Sequence, residues 1–269
     1  MKAKTTKWLL LALLVMLTGR GMAQRQVTQY YQVGLGSTNI LDTYLTPEKF
    51  RGTGLTLLSL RETKGKRPEW STVSQHQLHV ATAKDRAGNE AMMEATYNFL
   101  WGKYYAWQLM DDKLQLQAGG LANVTLGAFY NTRSNANNPA QARLALNVMP
   151  SGIATYHFKW LKCNWAARYE LDLPLVGVMF SPNYGQSYYE MFSLGNYDHN
   201  IVPTTFVAAP YFRQQLMVEC GVWPSLTLSL GYLCDWQQAA VNGLKQHLYN
   251  NSVMIGVVKR FSITKLKNE

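Results

Sequence analysis

The sequence predicts an all-β protein, an antiparallel transmembrane β-barrel of about twelve strands (roughly 10 to 14), with one long loop that partly closes its mouth. Three observations predict this fold. The chain begins with an export signal, apolar and polar residues alternate with a period of two along most of the rest, and aromatic residues gather at the predicted strand ends. Together these features are typical of barrels in the bacterial outer membrane.

The first 23 residues are a predicted signal peptide. Three lysines precede an apolar run over residues 8–17, and the small residues Gly21 and Ala23 suit a cleavage site. A membrane anchor is the alternative, but the run has only about half of the roughly 20 residues that a spanning helix needs. We therefore expect cleavage after Ala23 and a single mature barrel domain over residues 24–269.

The charge and the cysteine content of the mature chain indicate which partners and cofactors to expect. Loss of the signal removes four basic residues and no acidic ones, so the formal net charge falls from +10 to +6. The remaining basic runs fit solvated turns or anionic lipid headgroups, and we predict no nucleic-acid partner. Cys163, Cys220 and Cys234 lack the spacing of a disulfide framework or a zinc site, so we expect no metal and no cofactor.

Alternation is clearest in three segments. Over residues 226–236 the even positions are apolar and the odd positions are polar or small, apart from Leu233. Residues 114–130 and 163–173 repeat the pattern, and the polar face of the second of these carries Asn164, Arg168, Glu170 and Asp172. This period predicts strands with one apolar and one polar face.

Similar patterns predict nine further strands and bring the total to twelve. This is an even number, as is usual for single-chain bacterial barrels. A bend within one strand is an alternative explanation for the break at residues 101–103. The predicted strands cover residues 27–36, 52–61, 72–83, 90–100, 104–110, 114–130, 141–149, 152–160, 163–173, 205–219, 226–236 and 246–261.

The predicted connections are of two kinds. We expect tight turns at residues 111–112, 150–151 and 162–163, and long loops at residues 131–139 and 181–203. Short turns at one rim and long loops at the other are typical of a membrane barrel. Strand counting from a periplasmic N-terminus nevertheless puts the loop at 131–139 on the periplasmic side.

The two faces of these strands favour a membrane barrel over a soluble periplasmic β-sandwich. A sandwich packs its apolar face inside, whereas a membrane barrel turns that face to lipid and carries aromatic girdles at both interfaces. The aromatics near predicted strand ends are Tyr30, Tyr31, Trp101, Tyr104, Tyr105, Trp107, Tyr130, Tyr156, Trp160, Trp165, Trp223, Tyr232, Trp236, Tyr249 and Phe261.

In a barrel, the polar strand faces should line the lumen. We expect a polar network there in which at least two of the members form ion pairs. Its predicted members are Glu94, Arg168, Glu170, Asp172 and Arg213.

The last predicted strand alternates toward a terminal aromatic, Phe261. It resembles the C-terminal signal by which the barrel-assembly machinery recognises its substrates, although eight residues follow Phe261 here. The expected partners are therefore this machinery during biogenesis and outer-membrane lipid afterwards.

Several runs of sequence form a recognisable set: Asn137-Asn-Pro139, residues 180–192 with Gly195-Asn196, Gly231-Tyr232, Gln238 with Asn242, and residues 255–261. These runs resemble those of an uncharacterised family of predicted outer-membrane barrels from Bacteroidales-type bacteria. The resemblance covers nearly the whole mature chain and supports location and architecture, but the family carries no established activity to transfer.

The long loop at residues 181–203 is rich in aromatic and amide side chains. Such a surface suits stacking on the sugars of a glycan, binding of another small molecule, or folding inward as a lid, and simple packing over the barrel mouth is the alternative. We expect the loop to be buried at the extracellular mouth. The candidate ligand-binding or lid residues are Tyr184, Gln186, Tyr188, Tyr189, Glu190 and Asn196.

No nucleotide-binding or metalloprotease motif occurs in the chain. The pairs available for Ser/His chemistry are His247 with Ser252, and His76 or His79 with Ser74, and each is interpreted as ordinary strand or loop structure. We therefore predict no catalytic residue and no esterase activity. Two functions stay open: a non-enzymatic narrow pore, binding or structural component of the envelope, or a lipid-modifying hydrolase of the lipase or lipid A deacylase type.

Overall fold

A computed structural model describes residues 24–65, 67–132, 139–223 and 226–264. The predicted signal peptide and residues 133–138 of the loop at 131–139 lie outside these ranges. The described part of the chain forms twelve β-strands and one short α-helix, α1 (Tyr188–Phe192). No helix in these ranges has the length and apolar character needed to cross a membrane.

The strands are long, as the extended alternation requires. The first six are β1 (Gln24–Asp42), β2 (Thr46–Lys64), β3 (Trp70–Lys84), β4 (Ala91–Leu109), β5 (Leu114–Asn131) and β6 (Ala140–Trp160). The others are β7 (Cys163–Asp172), β8 (Val176–Phe180), β9 (Ile201–Thr205), β10 (Tyr211–Trp223), β11 (Leu226–Val241) and β12 (Leu244–Thr264).

Ten of these strands close into an antiparallel barrel. The hydrogen-bonded order runs β5-β4-β3-β2-β1-β12-β11-β10-β7-β6, and pairing of β6 with β5 completes the ring. Strands β8 and β9 form a hairpin outside this ring, attached to the edge of β6. The prediction of an all-β antiparallel barrel is thus confirmed, with ten strands in the wall.

The register around the ring is staggered. Asp235 on β11 pairs with Asn250 on β12. The same row of paired residues can be followed the other way around the ring, from Asp235 through β10 and the remaining strands to β1. It then reaches β12 at Ser262, twelve residues further along that strand. Such stagger accompanies strand tilt, which sets the diameter of a barrel.

In two places, two consecutive predicted strands are one continuous strand in the structure: β4 and β6. The residues at 101–103 lie within β4, which matches the alternative of a bend, but the tight turn predicted at residues 150–151 is wrong because both lie within β6. Pro150 is tolerated there because it lies where the neighbour of β6 changes from β7 to β8. In the sequence, Pro150 interrupts the alternation of apolar and polar residues, and this interruption was interpreted as a turn.

This correction also explains the location of the longer connections. The start of β1 at Gln24, the end of β12 at Thr264 and the turns at residues 110–113 and 161–162 lie at one end of the barrel, here called the terminal end. The connection at residues 173–210 lies at the other end, here called the loop end, where β5 ends and β6 begins. The periplasmic location was expected for residues 131–139 because the sequence count divided β4 into two strands and so had one strand too many before them.

Apolar side chains cover the outside of the barrel. Leu35 is 69% exposed and Ile255 is 58% exposed, although both are aliphatic residues in the middle of strands. Aromatic side chains form contacts toward both ends. They include Trp70, Tyr105 and Trp107, and Phe158, Trp160 and Trp165, at the terminal end, and Phe212, Trp236 and Tyr249 toward the loop end.

The interior combines small apolar clusters with polar side chains. Leu233, the one residue that breaks the alternation of β11, faces inward and packs with Leu58 and Met254. Leu233 breaks the alternation because it belongs to an apolar layer inside the lumen. A larger apolar cluster in the interior includes Leu60, Leu100 and Met217.

Close approach of β1 and β12 requires glycine at position 36. A Cβ atom on Gly36 would lie 1.7 Å from the backbone oxygen of Asn251, whereas one on Gly120 would meet only a backbone oxygen 3.9 Å away. We expect Gly36→Ala to lower the free energy of unfolding by about 1–3 kcal/mol through strain and Gly120→Ala to leave it nearly unchanged. Chemical unfolding of the barrel in detergent measures both, and equal effects would contradict this account of the β1–β12 contact.

Candidate functional site

Charged side chains meet in the middle of the barrel. Arg168, Glu170 and Asp172 share the inward face of β7, and Arg213 on β10 pairs in register with Asp172. The guanidinium of Arg168 lies 2.6 Å from Glu170 Oε2, and Arg213 Nη1 lies 3.3 Å from Glu170 Oε1 and 2.7 Å from Asp172 Oδ2. All four are at most 1% exposed, so this charged cluster is sealed inside the wall.

The charged cluster is tied to the opposite wall. Arg213 Nη2 donates to Gln75 Oε1 at 2.7 Å, and Arg213 Nε donates to Gln77 Oε1 at 3.2 Å. Both glutamines lie on β3, which is five strands away from β10 in either direction around the ring. The side chain of Gln75 also donates to Glu170. These hydrogen bonds cross the full width of the lumen.

Further contacts extend the network along the barrel axis. Tyr104 donates to Ser151 at 2.8 Å, and Ser151 donates to Asp172 at 2.5 Å. Toward the terminal end, Tyr30 donates to Glu219 at 2.9 Å, and Glu219 also pairs with Arg260.

Glu94 lies inside the barrel but apart from the charged cluster. Its Oε2 atom is 3.5 Å from His79 Nε2, and His79 Nδ1 is 2.8 Å from Thr56 Oγ1. The Thr56 hydroxyl contacts Ser252 Oγ at 2.9 Å. The five predicted lumen residues are therefore divided between two places, four in the charged cluster and one beside His79.

A carboxylate, an imidazole and two hydroxyls in a row are the groups used to activate a nucleophile. Here, however, Glu94, His79, Thr56 and Ser252 are each at most 3% exposed. An acyl substrate has no approach to such a buried row. Thr56 links His79 to Ser252 by hydrogen bonds, whereas His79 Nε2 and both carboxylate oxygens of Glu94 have no hydrogen-bond partner among the described residues.

In two of the three Ser/His pairs considered from the sequence, His247 with Ser252 and His79 with Ser74, the barrel wall separates the two side chains, whereas His76 and Ser74 share the outer face. His247 lies on the outer face, stacked on Tyr249, with Nε2 2.9 Å from Asn39 Oδ1, whereas Ser252 is buried in the lumen. His79 is buried in the lumen and His76 is exposed on the outer face, where its ring packs on Phe99.

Sequence reasoning missed the uncharged half of the network. Gln75, Gln77, Tyr104 and Ser151 supply the contacts that join the charged residues to other strands. The alternation of residues 72–83 already put Gln75 and Gln77 on one face, and this signal could have identified them. Tyr104 gave no such signal, because tyrosine also fits the outer girdle.

The long connection at the loop end contains a short, capped helix. The Ser187 side chain accepts from the backbone N–H of Glu190 at 3.1 Å, and the Glu190 carboxylate accepts from the backbone N–H of Ser187 at 2.7 Å. This reciprocal pair satisfies the start of α1. Met191 on the helix is fully buried.

Two side chains fasten this connection to the barrel. The Tyr188 hydroxyl donates to Gln141 Oε1 at 2.9 Å and accepts from the backbone N–H of Ala142 at 2.7 Å. Burial raises the pKa of the Tyr188 hydroxyl, so it stays protonated and able to donate. Asn242, in the β11–β12 turn, donates to the backbone oxygens of Ser181 and His199 at 3.0 and 3.1 Å.

The six candidate loop residues separate into structural and exposed groups. Gln186, Tyr188 and Glu190 have side chains engaged within the connection or with β6, and Asn196 donates its backbone N–H to Glu190. Tyr184 and Tyr189 are 78% and 64% exposed. Burial of these two rings was expected and is wrong, because the helix cap and Met191 fix the connection without them.

Comparisons with known proteins concern family and fold. Residues 8–268 match the model of a family described as "Protein of unknown function (DUF3316)". No curated protein sequence matches the chain.

Several solved outer-membrane barrels are similar to this chain. The outer membrane protease OmpT from Escherichia coli is 8% identical, with 90% of this chain and 98% of that chain covered and a TM-score of 0.46. The transport unit of the autotransporter AIDA-I from Escherichia coli is 7% identical, with 92% and 91% covered and a TM-score of 0.44. The attachment invasion locus protein Ail of Yersinia pestis is 6% identical, with 89% and 99% covered and a TM-score of 0.30. These likenesses are too distant to indicate an activity.

The charged cluster predicts a large and specific loss of stability. Arg213→Ala leaves Glu170 and Asp172 with one arginine between them, so the free energy of unfolding should fall by about 3–5 kcal/mol. Arg51→Ala, at an exposed arginine on β2, is the matched control and should cost little. Chemical unfolding in detergent measures both.

A double variant separates lost charge balance from lost packing. Arg213→Met combined with Asp172→Asn removes one positive and one negative charge, leaves the Arg168–Glu170 pair in place, and should recover much of the stability. If Arg213→Ala is no more costly than the control, the charged cluster does not stabilise the barrel.

Proposed function

The chain belongs to the DUF3316 family of proteins of unknown function, and on this premise we propose that it is an outer-membrane barrel with a sealed lumen that carries a binding surface at its loop end. The outward aliphatic side chains and the two groups of aromatic contacts support a lipid environment. The predicted signal peptide supports export. We further propose a Bacteroidales-type bacterial source, from the resemblance of the sequence runs.

The observation that carries this proposal is the bonding of Arg213 to Gln75 and Gln77 across the lumen. A ten-stranded ring is only slightly wider than the eight-stranded barrels whose interiors side chains fill. Here the charged cluster and its glutamine partners occupy that interior, and all are buried. A lumen closed in this way favours a structural or binding role over an open pore.

Assembly and orientation complete the proposal. Strand β12 ends near the exposed aromatic Phe261, which supports recognition by the barrel-assembly machinery. Placement of the terminal end in the periplasm leaves the short turns at 110–113 and 161–162 there and exposes the long connections outside the cell. We propose that orientation.

The loop end then presents aromatic rings to the extracellular medium. Tyr184 and Tyr189 are exposed on a connection whose backbone is held by the helix cap and by Asn242. Exposed rings on a backbone held in this way suit stacking on the faces of sugars, so we propose a glycan as the ligand. A lipid-modifying hydrolase has no supporting observation, because the row of residues around His79 is buried.

A sealed lumen predicts very low conductance. The wild-type barrel reconstituted in a planar lipid bilayer should show no steps of the size that an open porin gives, because side chains span its interior. The triple variant Gln75→Ala, Gln77→Ala and Arg213→Ala removes the transverse contacts and should raise the conductance. Frequent large steps from the wild type would overturn the proposal of a sealed barrel.

Glycan binding predicts a role for the two exposed rings. Tyr184→Ala with Tyr189→Ala should weaken binding of labelled oligosaccharides about tenfold, since each ring contact contributes roughly 0.5–1.5 kcal/mol. Tyr130→Ala is the control, because this ring is exposed on the outer face of β5. Binding that is absent from the wild type, or equal in all three proteins, would reduce these tyrosines to surface residues.

A further inference from the structure

A groove runs along the outer face of the barrel in its loop-end half. Its volume is about 1040 Å³, and it crosses the wall from β1 to β5. Its lining combines large exposed side chains with small ones: Leu35, Leu55, Val80, Met93, Ala95 and Ala128. Glu94 also borders the groove, but its carboxylate lies inside the barrel beside His79. The groove itself is therefore an apolar surface that suits an acyl chain.

The outward side chains of β2 and β3 become more polar toward the loop end. Successive pairs along this ladder are apolar, then hydroxyl-bearing, then basic: Leu55 with Val80, Thr53 with Thr82, and Arg51 with Lys84. The first two pairs line the groove, and the basic pair follows at its end. This order matches an amphipathic lipid that lies along the wall with its head group toward the loop end.

Arg51 and Lys84 place two positive charges directly opposite each other. They are the last pair of the β2–β3 ladder at the loop end, and both side chains are exposed. Among the residues that the structure describes, neither has an ion-pair partner within 4.0 Å. Like charges in directly opposed positions destabilise a sheet, and an anion between them relieves that repulsion.

The carboxylates near this rim have other contacts. Glu48, Asp85 and Glu90 form no ion pair with the two cations within the described ranges. Asp85 Oδ1 accepts from the backbone N–H of Glu90 at 3.0 Å, inside the connection between β3 and β4. Glu90 Oε2 accepts from the side chain of Asn131 on β5 at 3.4 Å. The exposed cations are therefore open to an anion from outside the chain.

We propose that this groove binds a membrane lipid whose head group is a phosphate monoester. The phosphate lies between Arg51 and Lys84, within reach of the hydroxyls of Thr53 and Thr82, and one acyl chain follows the apolar part of the groove. Arginine and lysine both bind phosphate oxygens through charge-assisted hydrogen bonds. A phosphate monoester carries between one and two negative charges near neutral pH, which suits a pair of cations better than the single charge of a phosphodiester.

This inference rests on the proposed membrane location but not on glycan binding, because Tyr184 and Tyr189 lie on a different part of the chain. A barrel that stays monodisperse in buffer without detergent would contradict the membrane location itself. A barrel that needs detergent but fails the lipid test would contradict the groove alone. The two failures are therefore distinguishable.

Native mass spectrometry of the full mature barrel, released from detergent micelles, tests the head group. The probes are didecanoyl phosphatidic acid, didecanoyl phosphatidylglycerol and didecanoyl phosphatidylcholine. We expect phosphatidic acid to bind most tightly. Arg51→Gln with Lys84→Gln should weaken it about thirtyfold, because each basic residue near a lipid head group contributes roughly fivefold. Lys103→Gln with Lys259→Gln is the matched control, since both lysines are exposed on the outer face toward the terminal end.

A second pair of variants tests the acyl part of the groove. Ala95→Phe keeps both cations but fills the groove, so it should weaken the binding of phosphatidic acid at least tenfold. Ala122→Phe is its control, because Ala122 is exposed on the outer face of β5 but does not line the groove. This control should bind as the wild type does.

Heat-modifiable gel migration identifies the folded variants to compare. Weaker binding in the double glutamine variant and in Ala95→Phe, with both controls unchanged, supports the site. Equal binding of phosphatidylglycerol would replace the monoester by any anionic head group, and equal binding of phosphatidylcholine would reduce the groove to a surface that bulk lipid covers. Undiminished binding in either the double glutamine variant or Ala95→Phe would also overturn the proposal.

Discussion

Closure of the sheet by the β5–β6 pair is the constraint on which the other features depend. Once that pair forms, every strand of the ring has neighbours on both edges, so the backbone groups are satisfied without water. Closure with ten strands also fixes a narrow interior. The side chains that face inward must then find partners across the lumen, and the apolar side chains that face outward must find a lipid-like surrounding.

The charged cluster is the chemical consequence of that narrow interior. Arg168 and Arg213 are balanced by Glu170 and Asp172 within hydrogen-bond reach, and Gln75 connects them to the far wall. In a wider barrel these groups would be hydrated and separate. Here they pair with one another, so polar side chains fill the middle of the lumen. An open porin, in contrast, keeps a water-filled channel.

The loop end is where the regular ring is interrupted. The chain leaves the wall after β7, forms the hairpin of β8 and β9, and returns at β10. This detour creates the connection that carries Tyr184 and Tyr189. The candidate binding surface therefore originates in the detour, and a regular ten-stranded barrel would lack it.

The sequence by itself determined the fold class and the two faces of each strand, because alternation with a period of two is a local property. It also marked Leu233 as an exception, but only the tertiary structure decided that this side chain completes an apolar layer. Strand count was misjudged at Pro150, since a proline at an interrupted ladder and a proline in a turn look alike in sequence. The partners of Arg213 and the buried position of His79 were decided only by the tertiary structure, because they depend on which strands face one another across the ring.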